Sequence, residues 1–252
     1  MSRLITSLLA GTTMVVFGVF ILALLSASDL LVSVRDSVGP STFDPLFSLL
    51  LVCLILATAF SAEAPRLGGS KEIAFISMIV ALGAAGRVLF VAAPNVSPVD
   101  WLTLCAGLVF GPATGFTVGS TIMLVSNFWL GQGPWTLYQM VSMGSLGVLG
   151  GCLRPLRKRL GAKALAAIGF VWGFVYGVAM SVFWMLMVSS VLSWTSFVAY
   201  WLAGLPFYVL QGVGNAVLLF ILGPRTVTML HRFDRRLRVS FDQGDPSGRR
   251  LA

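Results

Sequence analysis

Apolar runs alternate with short polar segments along almost the whole chain, and this alternation predicts membrane-spanning helices. Two runs come first, at about Leu4–Leu25 and Pro45–Phe60. Six more follow, at about Glu72–Val91, Pro98–Phe110, Thr114–Leu130, Trp135–Cys152, Ala164–Val191 and Ser196–Leu222. Because a span typically needs about 20 residues, most of these runs qualify. The pattern predicts an all-α, polytopic transmembrane bundle with eight spans.

The stretch Pro98–Leu130 is too long for one straight span, so it should contain a break. Gly111-Pro112, followed by Gly115, is the expected position, because proline cannot continue the hydrogen bonding of a helix. The helix before this break is short for a full crossing of the membrane. Another open point is Ser26-Ala27-Ser28, which resembles a signal-peptidase site, although the preceding apolar run is longer than a usual signal core.

Composition supports lipid as the main solvent of this chain. Of its 252 residues, 57% are hydrophobic and 10% are charged. Soluble domains have about 45–50% apolar and about 25% charged residues. The net charge is +8, and the positions of the positive residues fit the predicted topology. In an eight-span arrangement all of the 17 Lys and Arg residues except Arg35 and Arg87 fall on one side of the membrane. We therefore expect a multi-pass plasma-membrane protein with cytoplasmic N- and C-termini and no nucleic-acid partner.

Motifs for ATP binding and for metal-dependent catalysis are missing from the sequence. It has no GxxxxGK[ST] loop for ATP and no HExxH sequence, and its single histidine, His231, lies in the basic tail. Three cysteines are scattered without metal-type spacing. Acidic residues are nearly absent from the predicted spans, which disfavours a proton relay. The sequence predicts no enzyme, no metal site and no cofactor.

Two polar segments rich in glycine and proline, Arg87–Asp100 and Asn127–Met140, fall on the predicted outer face. Irregular backbone near a membrane is tolerated where it lines a cavity or is covered by protein, so these segments predict a binding pocket. Its amides and aromatic rings would suit an uncharged, ring-containing molecule. The simpler alternatives are an interfacial aromatic belt and plain turns. The candidate substrate-binding residues are Arg87, Pro94, Asn95, Asn127, Gln132, Gly133, Pro134, Trp135, Thr136 and Gln139, with Trp101 and Tyr138 as further aromatic faces.

A stripe of small residues runs along the third predicted span. Ser77, Ala81 and Ala85 recur every four residues and therefore share one face of a helix. Such a stripe permits close helix approach. The stripe could pack within the chain or dock another membrane protein, and periodicity alone does not distinguish these two alternatives.

Several short motifs lie between about Glu72 and Gly151: Ala81–Arg87, Pro94-Asn95, Ala106-Gly107, Phe110-Gly111-Pro112, Gly115-Phe116, Ser126-Asn127-Phe128, Gly131–Thr136 and Gln139-Met140. With these motifs the stretch resembles the substrate-specific (S) components of energy-coupling factor (ECF) transporters, in a subgroup similar to members associated with cobalamin or its precursors.

The resemblance implies a six-helix substrate-binding core at residues 72–223, an added N-terminal hairpin at 1–63 and a basic cytoplasmic tail at 224–252. It also implies capture of a vitamin-like molecule outside the cell, and partnership with a transmembrane coupling subunit and two cytoplasmic ATPases. Ser77, Ala81 and Ala85 would contact that coupling subunit. Two other hypotheses remain from the residues alone: a solitary transporter or channel for a small neutral solute, and a membrane scaffold with a lipid-binding tail.

Overall fold

The computed structural model describes residues 70–188 and 193–242, together with Ser37. Within residues 70–188 and 193–242 the regular structure is entirely helical, with seven α-helices and one short 3-10 helix at Arg154–Leu156. The α-helices are α1 (Ser70–Leu89), α2 (Val99–Phe110), α3 (Pro112–Leu130), α4 (Trp135–Cys152), α5 (Ala162–Val188), α6 (Trp194–Ile221) and α7 (Gly223–Asp242). The first two predicted spans, and with them the 1–63 hairpin, lie outside the described residues.

The helix bounds follow the apolar runs closely, and the predicted break is confirmed. Helix α2 ends at Phe110 and α3 begins at Pro112, with Gly111 between them at φ 107°. This positive φ favours glycine because it has no Cβ, and proline at the first helical position loses no hydrogen bond.

Two helices are long and apolar enough to cross a membrane, at Ala162–Met185 within α5 and at Trp194–Ile221. Shorter apolar helices lie at Ile73–Leu89 and Val99–Phe110. The 12 residues of α2 rise only about 18 Å, less than a hydrocarbon core of about 30 Å. Helix α2 alone is therefore too short to span, and the eight-span topology stays a prediction.

Helix α2 forms the centre of the bundle and runs antiparallel to α1. All of its residues except Trp101 are buried. Pro98, just before α2, lies against Gly86 near the end of α1. The ring of Phe110, at the other end of α2, contacts Phe75 near the start of α1, with a centroid distance of 5.9 Å. The two ends of α2 thus lie beside opposite halves of α1.

Glycines bring α2, α3 and α4 into backbone contact. A Cβ added to Gly147 of α4 would lie 2.1 Å from the carbonyl group of Gly115 in α3. A Cβ on Gly107 of α2 would lie 2.1 Å from the carbonyl oxygen of Gly147. Helices α5 and α6 meet in the same way at Gly173 and Gly212. Small residues at helix contacts let backbones approach closely, which matters where lipid removes the hydrophobic drive for helix association.

Helix α7 follows α6 after a single residue, Leu222, and packs on the bundle. Helical hydrogen bonds continue on both sides of Pro224, which has no N–H to donate. Leu222 N donates to Leu218 O before it, and Thr226 N donates to Leu222 O after it. Trp101 Nε1 donates to Thr226 Oγ1 at 3.1 Å. Trp101, expected to face the pocket, therefore contacts α7.

Two further contacts hold α7 farther along its length. Phe233 stacks on Phe75 of α1 with a centroid distance of 3.8 Å. The guanidinium of Arg157, in the connection after α4, donates to Nε2 of His231 at 3.2 Å. The predicted tail at 224–252 therefore begins as a helix fixed to the bundle.

We predict that Gly147→Ala lowers the melting temperature of the purified protein by about 2–10 °C, as expected for about 1–3 kcal/mol of overpacking. The added methyl group would meet the backbone of α3, which cannot move aside like a flexible side chain. Gly161→Ala is the matched control, because a Cβ there meets nothing within 4 Å. Equal melting temperatures for the two variants would contradict the close packing of α3 and α4.

Candidate binding site

A cavity of about 490 Å³ lies among α4, α5, α6 and the connection between α1 and α2. It is at the end of the bundle where α4 begins, away from the basic connection that follows the end of α4. Its lining residues come from four elements and are mostly aromatic: Asn95, Trp135, Gln139, Tyr176, Met180, Phe183, Trp184, Tyr200, Ala203, Gly204, Phe207 and Tyr208.

The chemistry of this lining is aromatic, with a few neutral polar groups. Asn95 and Gln139 contribute amides, and three tyrosines contribute hydroxyl groups. No acidic or basic side chain is among the lining residues. Ligand pockets of about 300–1,000 Å³ commonly combine apolar walls with a small number of polar groups that orient the ligand. The cavity therefore has the size and composition of a small-molecule site.

Packed aromatic rings form part of the cavity wall. Phe183 is the hub, with centroid distances of 6.5 Å to Trp135, 5.3 Å to Tyr138 and 5.2 Å to Trp184. Two of these contacts are edge-to-face, a geometry that aromatic rings favour. Tyr138 thus supports the wall from behind.

A hydrogen-bonded network behind the cavity starts at Arg87. One guanidinium nitrogen donates to Ser126 Oγ at 2.7 Å and to Asn127 Oδ1 at 2.6 Å. The Nδ2 of Asn127 then donates to Thr136 Oγ1 and to Gln139 Oε1, both at 2.8 Å. Asn127 therefore links α1 to α4, and it orients the amide of Gln139, which lines the cavity.

The Gly131–Thr136 turn is held by side chains within it and by α3. Gln132 Nε2 donates to the carbonyl oxygen of Leu124 at 3.0 Å, while Thr136 Oγ1 donates to Gln132 Oε1 at 3.0 Å. A Cβ on Gly133 would lie 2.3 Å from the ring of Trp135. Glycine at this position therefore lets the indole lie back against the turn.

Asp100, the last residue of the polar segment predicted at Arg87–Asp100, is a buried carboxyl group in the first turn of α2. It is 1% exposed and accepts a hydrogen bond from Gln211 Nε2 of α6 at 3.2 Å. Asn215, one turn beyond Gln211, donates to the carbonyl oxygen of Gly169 at 3.3 Å and so joins α6 to α5.

The candidate residues from the sequence thus occupy three kinds of position. Asn95, Trp135 and Gln139 line the cavity. Those in the network behind it are Arg87, Asn127, Gln132 and Thr136, while Gly133 and Pro134 shape the turn. Pro94 is exposed in the α1–α2 connection and does not line the cavity.

Sequence reasoning missed the lining residues of α5 and α6. Those two runs are almost uniformly apolar, so no polar pattern marks the side that faces the cavity. One available signal was tyrosine, since three of the four tyrosines in the chain lie in these runs and all three line the cavity. An aromatic ring with a hydroxyl group suits a site that is apolar and still binds polar atoms.

The small-residue stripe of α1 lies on an exposed face. Ser77, Ala81 and Ala85 are all exposed, next to the exposed apolar side chains of Met78 and Leu82. Among residues 70–188 and 193–242, no helix covers this face.

A comparison with protein families decides what kind of protein carries this site. The family described as "ECF transporter, substrate-specific component" matches residues 71–223, which is more than half of the chain. The chain belongs to this family. The matched range contains the whole cavity and the network behind it. No curated protein and no solved structure matches the chain.

The chain is therefore a member of a family of membrane-embedded, substrate-binding transporter components, and not of a known enzyme family. ECF S components generally work with coupling and ATPase modules. Membership accounts for the absence of a nucleotide-binding loop from this sequence, since the ATPase modules supply that function.

We predict that Asn127→Ala destabilises this S component more than Ser126→Ala does. Loss of Asn127 removes one acceptor from Arg87 and the donor to both Thr136 and Gln139, for an expected loss of about 2–3 kcal/mol. Loss of Ser126 leaves Arg87 bonded to Asn127 and should cost about 1 kcal/mol. Thermal unfolding in detergent measures both, and similar losses would contradict the central position of Asn127.

Proposed function

We propose that the chain is the subunit of an ECF-type uptake transporter that captures a vitamin-like, ring-containing molecule outside the cell. The coupling subunit and two ATPases then drive its release inward. The observation that carries this proposal is the uncharged aromatic cavity, to which Asn95, Trp135 and Gln139 contribute together with three tyrosines.

The lining favours a neutral or weakly charged planar ligand. Indole and phenol rings offer flat apolar faces, and the amides and hydroxyl groups can pair with a few ring nitrogens or carbonyl groups. A charged ligand would meet no opposite charge in this lining. Among cobalamin and its precursors, a cavity of about 490 Å³ favours the compact molecules over an intact corrinoid.

The distribution of charge supports an outward-facing cavity. Arg157, Lys158, Arg159 and Lys163 lie in and beside the connection between α4 and α5, at the other end of the bundle from the cavity. Positively charged connections face the cytoplasm. With the basic connection on the cytoplasmic side, the chain is a multi-pass protein with a cytoplasmic C-terminus, and the predicted N-terminal hairpin keeps the N-terminus on the same side.

The exposed stripe on α1 is our proposed contact for the coupling subunit. Ser77, Ala81 and Ala85 carry small side chains on a face that the rest of the described bundle leaves open. Two helices in a membrane pack most closely where such residues allow their backbones to approach. A large side chain there would separate the partner from α1 without touching the cavity.

We predict that Trp135→Ala weakens ligand binding by at least about 10-fold, because stacking on an indole contributes about 1–3 kcal/mol. The ligand is first identified by mass spectrometry of small molecules extracted from the purified complex. Its affinity is then measured by isothermal titration. The matched control is Trp129→Ala, since Trp129 is 72% exposed and does not line the cavity. Equal affinities of the two variants would rule out the cavity as the binding site.

We predict that Ala81→Leu leaves ligand affinity within about twofold but reduces ATP-dependent uptake at least about 10-fold. Added volume on the stripe should impede docking of the coupling subunit. Ala167→Leu is the control, because Ala167 is also exposed but lies on α5. Normal uptake with Ala81→Leu would show that the stripe does not dock the coupling subunit. Uptake into liposomes by the chain alone would instead indicate a solitary transporter.

A further inference from the structure

A second large concavity lies between α1 and α7, at the end of the bundle opposite the binding cavity. Its volume is about 810 Å³, and we call it the basic groove. Its floor is apolar and its rim carries three arginines; the defining residues are Phe75, Met78, Met229, Arg225, Arg232 and Arg236.

The position of the arginines follows from the helical repeat of α7. Arg225, Arg232 and Arg236 are separated by seven and four residues, so they lie on one face of the helix. Met229 falls between them on the same face and is 61% exposed. No acidic side chain lines the groove. One helix face thus offers a row of positive charges beside apolar surface, and it has no negative charge of its own there.

The groove is preformed, because contacts on both sides of it fix α7. Near the start of α7, Thr226 accepts a hydrogen bond from Trp101. Farther along, Phe233 stacks on Phe75 and His231 accepts a hydrogen bond from Arg157. An occupant would therefore meet a shaped surface and would not have to order a loose segment.

The apolar floor is continuous with the exposed apolar face of α1. Met78 lines the groove and is 57% exposed, and Leu82, one turn farther along α1, is 59% exposed. An occupant with an anionic end and a long apolar end would place its charge beside the arginines and its chain along α1. Anionic phospholipids have this form, and basic pockets between helices on the cytoplasmic side bind their headgroups.

We propose that the basic groove binds an anionic phospholipid of the cytoplasmic leaflet, with the phosphate between Arg232 and Arg236 and an acyl chain along Met78 and Met229. Adjacent arginines on one helix face can both donate to one phosphate. This proposal rests on the orientation given under the proposed function, and it does not depend on the identity of the transported molecule or on the binding cavity. Because Met78 and Leu82 lie beside the stripe proposed for the coupling subunit, the acyl chain and that subunit would occupy neighbouring parts of one face of α1.

The test compares two double variants that remove equal charge from the same end of the bundle. The groove variant, Arg232→Gln with Arg236→Gln, removes two cations from the groove. The connection variant, Lys158→Gln with Arg159→Gln, removes two exposed cations from the α4–α5 connection. Each full-length protein is delipidated in detergent. It is then titrated with phosphatidylglycerol, phosphatidylcholine or inorganic phosphate while the melting temperature is followed.

We expect phosphatidylglycerol to raise the melting temperature of the unsubstituted protein and of the connection variant. The groove variant should bind it about 30-fold more weakly, corresponding to about 1 kcal/mol for each arginine. Phosphatidylcholine and inorganic phosphate should have little effect on any of the three proteins.

Three outcomes would overturn the proposal. An equal response of both double variants would show that lipid binding depends on net charge and not on the groove. A stabilisation by inorganic phosphate as large as that by phosphatidylglycerol would indicate a simple anion site. Unchanged lipid binding by the groove variant, together with loss of its complex with the coupling subunit, would assign the groove to an acidic protein partner.

Discussion

A guanidinium among packed apolar helices requires acceptors, because an unpaired buried charge costs far more than a neutral polar group. Arg87 meets this requirement through Ser126 and Asn127, at 2.7 and 2.6 Å. Satisfying Arg87 fixes the amide of Asn127, and the other end of that amide then fixes Thr136 and Gln139. The orientation of a residue that lines the cavity therefore depends on a charge located two helices away.

The turn between α3 and α4 brings part of this network together. Asn127 lies near the end of α3 and Thr136 near the start of α4, so the turn places their side chains within hydrogen-bond distance. At the other end of the same two helices, Gly115 and Gly147 let the backbones approach, since neither has a Cβ to hold them apart. In lipid the hydrophobic effect does not bring helices together, so packing and internal polar bonds must do so. The glycine contact and the Asn127 hydrogen bonds therefore join α3 and α4 at opposite ends of the pair.

Much of the fold could be predicted from the sequence, because apolar runs, Gly-Pro breaks and positive charges are local signals. The break at Gly111-Pro112 and the helix bounds are of this kind. The members of the network were predictable as a group, since Asn127 and the Gly131–Thr136 turn are polar in an apolar chain. The sequence could not predict which of them line the cavity and which support it from behind, because that depends on which face of α4 meets α5. The same reason explains Trp101, which donates a hydrogen bond to α7: a tryptophan in the first turn of an apolar helix signals an interface but does not identify its partner.

The two ends of the described bundle differ in their chemistry. At one end the cavity is lined without charge, and the charged groups behind it, Arg87 and Asp100, are held by neutral hydrogen-bond partners. At the other end the arginines of α7 remain on the surface, beside the groove, and α7 is tied to the α4–α5 connection. Neutral partners reduce the penalty of burying either charge, whereas like charges at the basic end favour an anionic environment. The walls of the cavity therefore need no counterion, because the charges of the bundle lie behind it or at its other end.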